Sequence, residues 1–183
     1  MAAAVEVHRF TGTSPGTGTD ITSSKTYFTT SDNHYSASPN YPVPVPAAAS
    51  NYSYWLSLRL KCTAAPDTAL NNAKFYMNAD WTGGTGITFL GQKANAGADA
   101  GYRQATGTPG DTGIELTAGN HTGLTGGPVD PFAWTDESPA SLAGSTSTTG
   151  YFCDFVVLQA VVAAAAVGAA QPDFGFTFYW DET

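Results

Sequence analysis

Apolar and polar side chains alternate with a period of two along residues 52–63. The apolar set consists of Tyr52, Tyr54, Leu56, Leu58, Leu60 and Cys62. The intervening set consists of Ser53, Ser57, Arg59, Lys61 and Thr63, with Trp55 as the exception to its polarity. Because successive side chains of a β-strand point to opposite faces, the pattern predicts a strand with one face in the core and the other in water.

Two further segments predict long strands closer to the C-terminal end. Phe174, Phe176, Phe178 and Trp180 alternate with Gly175, Thr177, Tyr179 and Asp181. This alternation predicts a second half-buried strand. Residues 151–162 are apolar at almost every position, which is typical of a central strand covered on both faces. The alanine-rich continuation, residues 160–170, leaves a helix open as an alternative, although the Tyr, Phe, Val and Cys residues at the start favour a strand.

Shorter apolar segments complete a pattern of many strands. They lie at residues 5–10, 21–30, 74–77, 87–90 and 114–116. Gly- and Pro-rich turn clusters separate them, and no internal repeat is visible. The chain is therefore predicted to be all-β, an antiparallel β-sandwich of jelly-roll type with long Gly/Pro/Thr-rich loops. We expect residues 1–183 to form a single domain.

The charge balance excludes several partners. Only 12% of the residues are charged and the net charge is −8, so the surface should repel nucleic acid phosphates. The apolar stretch at residues 156–170 is interrupted by Gln159 and Gly168 and is too short for a membrane span. Because the first residues lack the features of a signal peptide, we expect synthesis in a cytoplasm, with neither nucleic acid nor membrane as a partner.

The two cysteines leave two interpretations open. Cys62 and Cys153 each lie in a predicted core strand, where a free thiol behaves as a small apolar side chain. A disulfide between them remains the alternative, since the sequence does not show whether they meet.

Motifs that carry enzymatic chemistry are missing from the sequence. There is no nucleophile elbow, zinc-protease motif or phosphate-binding loop. The three histidines, His8, His34 and His121, are far apart along the chain. The adjacent carboxylates Asp136–Glu137 and Asp181–Glu182 would point to opposite faces of a strand. We therefore expect a protein that is not an enzyme, with no catalytic residue, no cofactor and no metal.

Prolines occupy alternate positions in residues 39–46, which read Pro-Asn-Tyr-Pro-Val-Pro-Val-Pro. Since proline lacks a backbone N–H and favours an extended conformation, this segment is predicted to be a surface arm rather than a central strand. Residues 1–10 form a second possible arm. We expect these arms to contact a neighbouring protein or a sister subunit. The interface candidates are Val5, Val7, Phe10, Tyr41, Pro42, Val43, Pro44, Val45 and Pro46.

Three blocks of the chain resemble small virion structural proteins of tailed bacteriophages, of the capsid decoration or cement type. They read Asn-Tyr-Ser-Tyr-Trp-Leu-Ser-Leu-Arg-Leu at 51–60, Tyr-Arg-Gln-Ala-Thr-Gly-Thr-Pro-Gly-Asp-Thr-Gly at 102–113, and Phe-Thr-Phe-Tyr-Trp-Asp-Glu-Thr at 176–183. The resemblance covers these blocks alone and assigns no site residue. It implies a protein of the virion, made in the host cytoplasm, that binds and stabilises the viral shell. Its expected partners are the major capsid protein and further copies of itself, most simply as a homotrimer.

Two other functions stay open. A phage tail, baseplate or adhesion component could bind glycans through exposed tryptophans, and a carbohydrate-active enzyme or lectin is the third possibility. The tryptophans are Trp55, Trp81, Trp134 and Trp180. Exposed tryptophans would favour glycan binding, and two carboxylates converging in a cleft would favour an enzyme.

Overall fold

The computed structural model describes residues 2–35, 40–78, 83–97, 101–168 and 171–183, and within them the chain is all-β, as predicted. The strands are β1 (Ala4–Thr11), β2 (Thr17–Asp20), β3 (Ser50–Tyr52), β4 (Leu56–Ala64), β5 (Leu70–Met77), β6 (Ile87–Ala94), β7 (Gly107–Thr108), β8 (Thr112–Gly113), β9 (Ala140–Ser141), β10 (Gly150–Ala163) and β11 (Phe176–Glu182). A short 3-10 helix spans Pro131–Ala133. Within the described residues, no helix is long and apolar enough to span a membrane.

The strands pair antiparallel in two sheets and a small hairpin. The large sheet has six strands, in which β2, β1, β4 and β10 are successive neighbours. One edge of β10 pairs with β4 and then with β3, and the other edge pairs with β6. Val161 shows this arrangement, because it pairs with Tyr52 of β3 and with Thr88 of β6. The small sheet has the order β11, β5, β9, and β7 pairs with β8. The antiparallel strands include a curled half-barrel.

The main core combines side chains from both sheets. The large sheet contributes Leu56, Leu58, Leu60 and Cys62 of β4 with Phe152, Val156 and Leu158 of β10. The small sheet contributes Leu70, Ala73, Phe75 and Met77 of β5 with Phe178 of β11. The apolar faces predicted for residues 56–62 and for the C-terminal strand are therefore confirmed. Burial of these faces supplies the main driving force for the association of the sheets.

A second core covers the other face of the large sheet. It contains Phe10, Tyr54, Trp55, Phe155 and Val157, together with Tyr102, Ala105 and Leu116 from the loops after β6. The prediction that residues 151–162 are covered on both faces is confirmed for residues 152–160, whereas Tyr151 is 37% exposed. The predicted wet face of β4 is wrong for Ser57 and Arg59, which are 2% and 6% exposed, whereas Lys61 is half-buried and Thr63 is exposed. Tyr54 joins this second core because the strand is interrupted between β3 and β4.

Several predicted elements have different bounds in the structure. Residues 21–30 and 114–116 form no strand, and the strand that follows β1 is instead β2. The alanine-rich continuation remains a strand to Ala163 and then turns, so the alternative of a helix is wrong for the part that is described. Residues 169 and 170 lie outside the described residues.

Strand β1 occupies an internal position in the large sheet. Its residues pair with β2 along one edge and with β4 along the other. With hydrogen bonds on both edges, residues 4–11 do not form a projecting arm, and the prediction of an arm at residues 1–10 is wrong for this part. The apolar alternation that suggested an exposed contact surface instead supplies two cores, with Val5 and Val7 on one and Phe10 on the other.

Both cysteines are free and buried. The Cys62 Sγ donates a hydrogen bond to the Ala64 carbonyl oxygen, and the Cys153 Sγ donates one to the Asp154 carbonyl oxygen. Burial raises the pKa of the Cys153 thiol to about 12. Because the thiolate is the reactive form, Cys153 behaves as an inert core side chain at neutral pH.

His121 packs against Trp55 of the second core, and its ring nitrogens form no hydrogen bonds with the described residues. The side chain is 0% exposed, and its ring centroid is 4.9 Å from that of Trp55. Within the described part of the chain neither nitrogen has a hydrogen-bond partner. Burial lowers the pKa of His121 to about 4, and the nearby Arg103 guanidinium acts in the same direction.

We expect His121 to make the fold sensitive to acid. The unfolded chain takes up the proton near pH 6.5 and the folded chain only near pH 4. Stability is therefore lost as the pH falls through this window and then levels off, by about 3 kcal/mol in total. His121→Phe should abolish this part of the loss. The measurement is the free energy of unfolding by urea from pH 7.5 to 3.5. Since the carboxylates titrate in both proteins, equal pH profiles for wild type and variant would contradict the prediction.

Candidate functional site

An apolar cleft of about 920 Å³ opens beside the main core. Its floor is the core-facing side of the large sheet, where Val7, Leu56, Phe89 and Leu158 line it. The cleft exists because a small sheet of three strands leaves part of the larger sheet's apolar face without a partner. The remaining sides are enclosed by irregular segments at residues 21–28, 42–45, 166–168 and 171–175.

Phe28 and Phe174, from two separate irregular segments, pack against Phe89 of the floor and form one wall of the cleft. The ring centroids of Phe28 and Phe89 are 5.4 Å apart, and those of Phe89 and Phe174 are 5.2 Å apart. Phe28 and Phe174 complete the triangle at 6.1 Å. These tilted and edge-to-face contacts are the arrangements that aromatic rings prefer. They hold the irregular segments against the sheet, so the wall depends on side-chain packing rather than on strand pairing.

The outer edge of the cleft carries exposed apolar side chains. We call residues 42–45 and 166–168 the apolar rim. Val45 and Val167 are 39% and 65% exposed. The two segments are neighbours, since a Cβ built at Gly168 would lie 3.8 Å from a Val45 methyl group. The rim therefore continues the apolar surface of the cleft out to solvent.

Lys25 and Asp173 are the charged side chains among the described residues that line the cleft. Their side chains are 61% and 67% exposed and form an ion pair between the Nζ and Oδ2 atoms. An exposed pair of this kind contributes little to stability. Because each charge is neutralised by the other at the mouth, the interior offers apolar contact rather than acid–base chemistry. The arrangement suits the binding of an apolar surface.

The structure separates the interface residues predicted from the sequence into two groups. Val7 and residues 42–45 line the cleft. Tyr41 is 41% exposed beside them, and Pro46 is half-buried. Val5 packs on the main core away from the cleft, and Phe10 is buried in the second core at 5% exposure. The predicted surface position of the Pro-rich segment is confirmed for its described residues, 40–46, whereas Pro39 lies outside them.

Other cleft residues carry no signal that sequence reasoning could have used. Lys25 and Asp173 are 148 residues apart, and neither belongs to a motif. Phe174 belongs to the alternation that predicts the C-terminal strand, but its partner Phe28 lies in a segment without periodicity. The sequence predicts a strand at residues 21–30, so it gives no indication that residues 21–28 cover the cleft.

The described tryptophans do not form an exposed platform. Trp55 is 5% exposed in the second core. Trp134 and Trp180 are half-buried and pack on the main core. Trp81 lies outside the described residues. The aromatic stacking surface that glycan binding needs is therefore not found among the three tryptophans that the structure describes.

Comparisons with known proteins add no relative. No protein-family model, curated protein or solved structure matches this chain.

Proposed function

We propose that this chain is a structural protein of a virus particle, a capsid decoration or cement protein that binds and stabilises the shell. The observation that carries the proposal is the apolar rim, which is continuous with the apolar cleft. Exposed apolar patches rimmed by polar residues mark surfaces that bind other proteins. The major capsid protein is the partner proposed for this surface, and the virion is the proposed location.

The composition supports a role in repeated protein contacts. With 12% charged residues, a contact formed by this chain desolvates few charges. Proline is already restricted before binding, so the Pro-rich side of the rim loses little conformational freedom when a partner covers it. A homotrimer is the proposed assembly, because decoration at a symmetry axis of a shell calls for a symmetric oligomer.

We further propose that the two sheets form a β-sandwich of jelly-roll type in a single domain. The main core draws on both sheets, which supports a two-layer arrangement. A stable, cofactor-independent sandwich with loops at its surface suits a protein that must persist on a particle.

The copy number of this chain on purified particles tests the proposed location. Quantitative mass spectrometry against the major shell protein should give a ratio that approaches the copy number of the shell subunit. A ratio far below that would place the protein in the tail. Absence from the particle would rule out a role in the virion.

Val45→Asp should weaken attachment to shells that lack this protein by at least about tenfold, because a carboxylate at the rim would lose hydration on contact. The matched control is Val129→Asp, since Val129 is 42% exposed and does not line the cleft. Binding is measured by co-sedimentation with shells over a series of protein concentrations. Equal affinities for the two variants would show that the apolar rim is not the attachment surface.

A further inference from the structure

The β1–β2 hairpin brings three potential metal ligands together on the face of β1 opposite to Val5 and Val7. Glu6 and His8 are two residues apart on β1 and therefore share a face. Asp20 of β2 is the register partner of His8. One ligand atom from each of the three side chains lies within 4.8 Å of the others. The Glu6 Oε2 and His8 Nε2 atoms are 2.8 Å apart.

The His8 ring is held in place from outside this group. His8 is 4% exposed, and its Nδ1 is 3.1 Å from the Tyr151 hydroxyl oxygen. The two rings also meet edge to face, with centroids 5.3 Å apart. A Cβ at position 18 would lie 2.2 Å from the Tyr151 hydroxyl, so the glycine at this strand position allows the hydroxyl to reach His8. This leaves Nε2 directed at the two carboxylates.

The Tyr151 contact has the form of an outer-shell partner in metal sites. Histidines that bind metals commonly engage their other ring nitrogen in a hydrogen bond, which sets the tautomer. In the tautomer with its proton on Nδ1, the His8 ring donates to the Tyr151 oxygen, and the lone pair of Nε2 is available to a metal ion.

The Asp20 carboxylate is held in position by Thr22. Its Oδ1 accepts hydrogen bonds from the Thr22 hydroxyl at 2.6 Å and from the Thr22 backbone N–H at 2.8 Å. These bonds fix the orientation of the carboxylate while its second oxygen stays available.

We infer that Glu6, His8 and Asp20 form a binding site for a divalent transition-metal ion such as Zn²⁺. One imidazole and two carboxylates are a donor set that Zn²⁺ accepts in tetrahedral geometry, with water in the fourth position. The imidazole nitrogen distinguishes this set from the all-oxygen sites of Mg²⁺ and Ca²⁺. The site revises the expectation of no metal, and it does not depend on the proposed virion function.

Lys61 is the cation that competes with the metal ion. It lies opposite Glu6 in the pairing of β1 with β4, and its Nζ is 5.6 Å from the centroid of the Tyr151 ring. Because Lys61 places a positive charge on the strand position paired with Glu6, removing this charge should strengthen the binding of a divalent cation.

Isothermal titration of the intact chain with ZnCl₂ tests the site. Asp20→Asn should weaken Zn²⁺ binding at least about tenfold, and Tyr151→Phe should weaken it by about tenfold through loss of the outer-shell bond. Lys61→Gln should tighten it. Glu137→Gln, at an exposed carboxylate away from the hairpin, is the matched control and should leave the affinity unchanged. MgCl₂ and CaCl₂ should bind more weakly than ZnCl₂.

A second readout does not require any variant to fold. In the unaltered protein, Zn²⁺ should shift the NMR signals of the His8 imidazole and leave those of His121 in place. Absence of binding to the unaltered protein, or shifts confined to other histidines, would overturn the assignment. So would equal affinities of the Asp20→Asn variant, the Glu137→Gln variant and the wild type.

Discussion

Replacing Phe75 by alanine should lower the free energy of unfolding by about 4 kcal/mol. Phe75 is 0% exposed at the centre of the small sheet. Its ring centroid lies 5.1 Å from that of Phe178, 5.5 Å from that of Phe176 and 5.9 Å from that of Trp134. The substitution removes the packing of a whole ring and leaves a cavity that three rigid aromatic neighbours cannot fill without leaving their own positions.

The measurement is urea unfolding followed by tryptophan fluorescence and by circular dichroism. Tyr179→Ala is the matched control, because Tyr179 is 48% exposed on the neighbouring strand β11. It should cost about 1 kcal/mol or less. If Phe75→Ala cost no more than the control, the small sheet would not be packed on the large one. The cleft, which lies where this packing ends, would then need another explanation.

The fold class follows from the sequence because the strongest patterns are local. Leu56, Leu58 and Leu60 repeat every two residues, and a one-residue change in register would move all of them out of the core. Phe176 and Phe178 behave in the same way on β11. The continuous apolar segment of β10 indicates burial on both faces. These features depend only on the alternation of side chains along a strand, so they could be predicted without knowledge of the partners.

The environment of polar strand residues could not be predicted in this way. Ser57 and Arg59 alternate with leucines, as the residues of a solvated face do, yet both are buried, and Arg59 hydrogen-bonds to Ala96 in the loop after β6. The loops after β6 are rich in Gly and Thr and carry only isolated apolar residues such as Tyr102 and Leu116. Whether such a loop packs on a sheet depends on contacts between residues far apart in the chain.

Only one side of the candidate site could be predicted from the sequence, because its other residues come from distant parts of the chain. The proline spacing indicates an extended surface segment, and residues 42–45 do lie on the surface at the cleft. The turn after β10 brings the other segment of the apolar rim, residues 166–168, to the cleft. The chain before β11 brings Asp173 to its partner Lys25. Neither the spacing nor the composition of these residues indicates that they meet.

Arg59 is a buried polar residue whose side chain hydrogen-bonds to two backbone carbonyl groups. Its Nε donates a hydrogen bond of 2.9 Å to the Cys153 carbonyl oxygen, and a terminal nitrogen donates another to the Ala96 carbonyl oxygen. Its guanidinium carbon lies 4.8 Å from the centroid of the Phe155 ring. Cys153 has a φ angle of 63°, in the left-handed region that is costly for a side chain with a Cβ. Arg59 thus satisfies a carbonyl at a strained point of β10.

This strained point is a bulge in the pairing of β4 with β10. Phe152 pairs with Leu60 and Val156 with Leu58, so three residues of β10 lie opposite Arg59 alone. The extra residues turn Phe155 toward the second core, while Cys153 stays in the main core. Bulges re-aim side chains in this way at the cost of ladder hydrogen bonds. The guanidinium replaces part of what the ladder loses.

Arg59→Met should therefore lower the free energy of unfolding by about 3 kcal/mol. Methionine retains an apolar stem of similar length, so the loss reports on the hydrogen bonds rather than on a cavity. Burial of the guanidinium is itself costly, and it lowers the pKa of Arg59. Relief of that cost acts in the opposite direction. We expect the loss to prevail because the variant leaves the Cys153 and Ala96 carbonyl oxygens without their donor in the interior of the protein.

The control for this experiment is Lys61→Met on the same strand. Lys61 is half-buried and shares the face of Arg59, and it should change the free energy of unfolding by no more than about 1 kcal/mol. Urea unfolding of both variants gives the comparison, and hydrogen exchange of the amides in β10 locates the effect. A neutral or stabilising Arg59→Met would mean that the bulge persists without its cation. In that case the left-handed conformation of Cys153 would be sustained by the packing of Phe152 and Phe155 into opposite cores, and the loops after β6 would cover an essentially apolar face.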